Sequence, residues 1–92
     1  LQAPARREAI TPKNTVTHAI WGPQREQVLV GTIRGEVWLH LTPKEPPVLR
    51  LSRLGGAVRL ALSPDGKRLL ASSVGRVWLH ELGGPPENKE EV

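Results

Sequence analysis

An all-β chain built as two four-stranded antiparallel sheets of the same kind is predicted from three observations. The tetrapeptide Val37-Trp38-Leu39-His40 returns unchanged as Val77-Trp78-Leu79-His80, each copy two residues after a glycine, Gly35 and Gly75. Upstream of each stands a short aliphatic run, Val28-Leu29-Val30 and Leu69-Leu70-Ala71, and before that a second run in which Val16 aligns with Val58 and Ala19 with Ala61. The spacing is about forty residues, and such a period with several short strands per unit is that of propeller blades.

The elements follow in order. Residues 1–14 form an N-terminal extension in which Pro4 and Pro12 flank a candidate strand at 7–11. That strand is placed to complete the last blade, by ring closure or by joining a neighbouring chain. In the first blade, 15–54, Val16, His18 and Ile20 alternate with Thr17 and Ala19 and mark a strand at 15–21, which Gly22-Pro23-Gln24 ends as a turn. A second strand spans 27–32, and Ile33-Arg34-Gly35 connects it tightly to a third at 36–41. After a Pro-rich linker, a fourth strand at 48–52 carries Leu49 and Leu51 on one face and Arg50 on the other. The second blade, 55–82, begins again after Leu54-Gly55-Gly56, with strands at 57–63, 68–73 and 76–82. Ser63-Pro64-Asp65-Gly66-Lys67 is its hairpin turn, because Pro fixes one backbone angle and Asp-Gly supplies the positive φ. Gly83-Gly84-Pro85-Pro86 and the charged residues after it offer no fourth strand, so 83–92 reads as a flexible tail.

With 92 residues and Trp21, Trp38 and Trp78 as the only aromatic side chains, the interior must come from Val, Leu, Ile and Ala. The formal charge of +4 reflects 13 basic against 9 acidic side chains. From Arg50 to Arg76 only Asp65 opposes Arg50, Arg53, Arg59, Lys67, Arg68 and Arg76. Such a stretch reads first as solvated strand edges that discourage aggregation, and second as a surface for anions. Cysteine is absent, which excludes disulfides and cysteine-based metal or nucleophile sites and fits any compartment, the cytoplasm being favoured. No apolar run reaches the length of a spanning helix, so no membrane partner is expected. A chain that starts at Leu1 and holds no methionine reads as a processed product or a piece of something longer.

The stretch Ala61-Leu62-Ser63-Pro64-Asp65-Gly66-Lys67-Arg68-Leu69-Leu70-Ala71-Ser72, followed by Gly75-Arg76-Val77-Trp78-Leu79-His80-Glu81-Leu82, resembles one blade of the WD-repeat β-propeller family. The resemblance covers residues 15–82, with Trp21-Gly22-Pro23-Gln24 replacing the Ser-Pro-Asp-Gly turn in the first unit. His80-Glu81 and His40-Leu41 occupy the positions of the name-giving Trp-Asp pair. Neither unit has a Gly-His pair before its first strand, and neither has an Asp in the turn between its second and third strands, where Ile33-Arg34 and Val74-Gly75 sit. The braced His, Ser/Thr, Asp and Trp set of many blades is therefore missing.

Propellers close with roughly four to eight blades. Two units leave a Val/Leu/Trp face to be covered by further blades, from other copies of the chain or from other segments. What the resemblance implies is a non-catalytic scaffold for protein–protein interaction that uses the loops of one end, here Thr15, Thr17, Arg34, Gly56, Arg59 and Val74. The alternative is nucleic-acid or other anionic-ligand binding through Arg50, Arg53, Arg59, Arg68 and Arg76.

Chemistry-bearing residues are few. His18, His40 and His80 are the conventional metal or base candidates, yet no acid recurs at a fixed distance from them as a supporting partner. His40 and His80, beside Trp38 and Trp78, read as packing residues between blades, so no metal and no cofactor is expected. Asp65 belongs to turn chemistry. Glu26, Glu36, Glu45 and Glu81 show no paired spacing suited to glycoside hydrolysis. Ser63, Ser72 and Ser73 lack a nucleophile elbow, and Gly55-Gly56 is too short to cradle a phosphate. Stacking of bases on Trp38 and Trp78 is the weaker alternative to packing.

Overall fold

The computed structural model describes residues 14–24, 26–41 and 45–92. Eight strands follow one another: β1 (Val16–Trp21), β2 (Val28–Thr32), β3 (Val37–His40), β4 (Val48–Leu51), β5 (Arg59–Leu62), β6 (Arg68–Ser73), β7 (Arg76–Glu81) and β8 (Glu90–Glu91). They form two antiparallel meanders, β1-β2-β3-β4 and β5-β6-β7-β8, that do not close into a ring. Among the described residues there is no helix. The expected strand at 7–11 lies outside the described residues.

Alternation decides which side chains meet. Residues paired across neighbouring strands share a face. In the first sheet the row Ile20, Leu29, Leu39 and the pair Val37 and Leu51 point toward the second sheet. The second sheet answers with Leu60, Leu62, Leu69, Ala71 and Trp78, and together with Leu54 and Val58 these fill the single core. The sheets meet closely at one point. Gly31 lies so near Val58 that a Cβ on it would sit 2.9 Å from the valine Cβ. A side chain there would push the sheets apart.

Turn chemistry is visible in each hairpin. The Ser63 hydroxyl donates to Asp65 Oδ1 at 2.6 Å, and the Lys67 amide donates to the same oxygen at 3.0 Å. These two bonds hold the Asp65 carboxyl below its ordinary pKa and brace the turn into β6. Gly35 has a φ of 78°, and its carbonyl accepts from the Leu54 amide at 3.0 Å, so the segment joining the two sheets crosses directly over it. The β6–β7 turn is less well matched. Val74 at φ 44° and Gly75 at φ 81° give a two-residue turn with both central residues left-handed, where Asn-Gly is favoured and a β-branched residue is strained. Val74 is also 67% exposed, so it recovers little by burial. Val74→Asn is therefore expected to raise stability by about 1 kcal/mol. A thermal melt that moves down instead would show that the contact of Val74 with Gly55 outweighs the backbone strain.

Three sequence expectations are corrected. The second unit does have a fourth strand: Trp78 pairs with Glu91 and Leu79 with Glu90, inside the segment expected to be a flexible tail. Asn88 makes the return possible, taking the Glu81 amide on Oδ1 and donating from Nδ2 to the carbonyls of Glu81 and Pro85. A two-residue strand made of glutamates carries no alternation that a sequence reading can find. Second, Leu49 and Leu51 do not share a face. They pair with Trp38 and Val37, neighbours on β3, because the register shifts between them and Arg50 becomes the inserted residue of a bulge. Third, Ala19 corresponds to Leu60 rather than Ala61, since Ala19 pairs with Val30 as Leu60 pairs with Ala71. The extra residue lies in the β1 irregularity between Val16 and His18. Slipping the comparison by one residue exchanges the faces.

Candidate interaction surface

The joint between the sheets is built around Arg50. The β4 bulge turns this side chain inward, where it is 8% exposed, although the sequence placed it among solvated or anion-binding arginines. Its Nη2 donates to the carbonyls of Gly84 at 2.7 Å, Leu82 at 3.2 Å and Glu81 at 3.4 Å, and its Nε donates to His80 Nε2 at 3.2 Å. One guanidinium from the first sheet thus holds the end of β7 and the loop that follows it. The loop answers in kind. The Glu87 amide donates to the Arg50 carbonyl at 2.8 Å, and the Glu87 carboxylate accepts from the Ser52 amide and hydroxyl at 3.0 and 2.8 Å.

A guanidinium can only donate, so the geometry sets the state of His80. Nε2 must accept, and the proton sits on Nδ1, which donates to the Asn88 carbonyl at 2.5 Å. Burial pushes the His80 pKa down, the Asn88 carbonyl pulls it partly back, and the Arg50 charge lowers it further, leaving it below 6.5. Burial lowers His40 as well. The unfolded chain therefore takes up these protons at a higher pH than the folded one. The stability contributed by both neutral imidazoles is full above 6.5 and is lost as pH falls through the window beneath it. Thermal melts at several pH values below neutrality check this, and His80→Gln, which keeps an acceptor for Arg50 but cannot titrate, should flatten part of the acid limb.

The other histidines differ. His18 Nδ1 accepts the Leu60 amide at 2.8 Å, and beside it the Thr17 hydroxyl donates to the Val58 carbonyl at 2.9 Å and accepts the Val58 amide at 3.1 Å. Two β1 side chains thereby occupy the backbone groups at the start of β5. His40 holds the position in its sheet that His80 holds in the second, but its buried Nε2 has no partner, and neither has the Ser73 hydroxyl. Trp38 also differs from Trp78: it lies on the face turned from the second sheet, and its Nε1 donates to Glu36 at 3.1 Å. Burial pushes the Glu36 carboxyl up, but hydrogen bonds from Trp38, Asn14 and Thr32 outweigh it and hold the group below its ordinary value. Among the described residues no three His, Cys, Asp or Glu side chains cluster as metal ligands, and no helix is long and apolar enough to cross a membrane.

The six residues expected at an interaction surface are spread over four places. Arg34 and Thr15 lie at the β2–β3 turn, where the Ile33 amide donates to the Thr15 carbonyl at 2.9 Å. Gly56 and the exposed Val74 stand together where the chain passes between sheets. Thr17 is occupied between the sheets, and Arg59 stands on the outer face of the second sheet.

The sequence predicted an uncovered Val/Leu/Trp face without assigning it to either sheet; the outer face of the second sheet carries Val and Leu, with Trp78 turned inward. Ala61, Leu70 and Leu79 form one row across that face with Glu90, and Arg59, Ser72 and Val77 form the next. Their counterparts in the first sheet are Ile20, Leu29 and Leu39, with Val37 for Val77. Leu29 and Val37 are both 0% exposed beneath the second sheet, whereas Leu70 is 43% and Val77 37% exposed. The signal was available in the repeat itself, once the unit was assigned two faces. Trp21, at 76% exposure, is a second apolar feature of the surface that the strand pattern did not distinguish from core.

Fold and surface together define a class: an all-β chain of two equivalent four-stranded antiparallel sheets, stacked face on face, with one apolar sheet face left uncovered. Comparison with protein-family models, with curated proteins and with solved structures gives no match for this chain.

Proposed function

We propose that the chain is a non-catalytic scaffold, a WD-like β-propeller segment whose outer β5–β8 face binds protein, either additional blades of other copies or segments, or another polypeptide. The observation that carries this reading is the exposure of Leu70 and Val77 at positions where the first sheet buries Leu29 and Val37 against its neighbour. The same chain thus supplies an example of what such a face packs against. A contiguous apolar face at a repeat end is the usual mark of a missing neighbour.

Anionic-ligand binding is supported less well. Of its five arginines, Arg50 is withdrawn into the joint. Arg68 and Arg76 pair with Glu81 and Glu91 at 3.3 and 3.2 Å, exposed contacts that salt and ligands readily displace. Steep loss of polyanion binding with added salt would favour this alternative.

A benzophenone side chain introduced at Leu70 tests the scaffold reading. Irradiation in cells should give a discrete adduct with a polypeptide, and the adduct should vanish when Val77 is changed to Glu. Absence of any polypeptide adduct at that position, with the fold intact by circular dichroism, overturns it.

A further inference from the structure

We infer that the occupant of the outer β5–β8 face is the same face of a second copy of this chain, related by a two-fold axis parallel to the strands. The inference rests on the reading of that face as a docking surface and names its partner. Head-to-tail packing of copies would need an open receiving face on the first sheet. There, Val30, Thr32 and His40 are already buried, and the exposed apolar side chains, Val16, Ala19 and Trp21, all lie along the β1 edge, so that face offers no match for a row that runs across the whole sheet. The outer second-sheet face, by contrast, fits itself. Its centre is Leu70, Leu79 and Val77, its β5 edge carries Arg59, and its β8 edge carries Glu90.

Two in-plane axes are available to sheets packed face on face. An axis perpendicular to the strands lays β5 on β5 and β8 on β8, which opposes Arg59 and Arg68 with their own kind and places the glutamates together. An axis along the strands lays β5 of one copy over β8 of the other. Arg59 then approaches the glutamate edge twice, once on each side, while the leucine row covers itself. A two-fold contact of this kind is self-complementary and closed, so it ends at two copies.

The contact is small. Four strands at a spacing of about 4.8 Å span roughly 15 Å, and the longest strands, of 6 residues, run about 20 Å, so the face covers roughly 300 Å², well below the about 800 Å² per partner of a standard interface. The dimer is therefore weak and depends on concentration. Sedimentation velocity of the purified full chain over roughly 10 µM to 1 mM should show the 10.1 kDa species passing toward twice that mass. Leu70→Lys should remove the larger species with the melting temperature unchanged, since the side chain is exposed. Arg59→Glu should weaken the dimer about tenfold, and Arg59→Glu combined with Glu90→Arg should restore it. A single monomer throughout that range, a species of three or more copies, or a dimer untouched by Leu70→Lys overturns the inference. A monomer leaves the scaffold reading to the Leu70 adduct, and an adduct there with a different polypeptide keeps that reading while removing the second copy.

Discussion

Replacing Arg50 with alanine is expected to lower the stability by about 3 kcal/mol, the cost of removing one partner from a buried charged network. The side chain supplies donors to the carbonyls of Glu81, Leu82 and Gly84 and to the ring of His80. Alanine leaves those acceptors facing a cavity with nothing to donate to them. Native domains are held by roughly 5 to 15 kcal/mol, and one this small falls near the lower end, so the variant should melt well below the parent. Arg50→Lys restores the charge but not the fork that reaches His80 and three carbonyls at once, and should recover only part of the loss. The measurement is a denaturant titration of all three proteins. Equal midpoints would mean that Arg50 lies in solvent, as the sequence suggested.

Trp78→Ala is the second large effect, about 3 to 5 kcal/mol, because the indole is 7% exposed and packs in the core that joins the two sheets. The other tryptophans serve as controls. Trp21→Ala removes a side chain that is mostly in water and should change the melt little. Trp38 stands at the same place in its own sheet as Trp78, but on the face turned from the second sheet, so an intermediate loss is expected, dominated by its bond to Glu36. Thermal unfolding of the three variants, followed by circular dichroism, checks the order. A neutral Trp78→Ala would place that indole at the surface and return base stacking to consideration.

How much was legible in the chain can be judged from these residues. The Val-Trp-Leu-His repetition marked both third strands and, through them, the unit and its period. Pro64-Asp65-Gly66 marked its turn correctly, because the turn is made by local hydrogen bonds of Asp65 with its near neighbours Ser63 and Lys67. Arg50 was misplaced because strict alternation assumes an unbroken register, and a bulge inserts a residue without a sequence mark of its own. The strand at Glu90–Glu91 was missed since its backbone pairing to β7 is set up by Asn88 and not by any apolar pattern. Equivalent residues also have unequal surroundings. His80 has Arg50 as a partner, and His40, identical in its local sequence, does not. Repetition specifies the unit, and position within the stack decides what each copy touches.

Proton–proton contacts in solution test the stacking of the two sheets most directly. The account predicts nuclear Overhauser effects between the Gly31 α protons and the Val58 methyls, and between the Arg50 side chain and the His80 ring, alongside the cross-strand contacts within each sheet. Strong contacts within each sheet, together with none between Gly31 and Val58 or between Arg50 and His80, would contradict it.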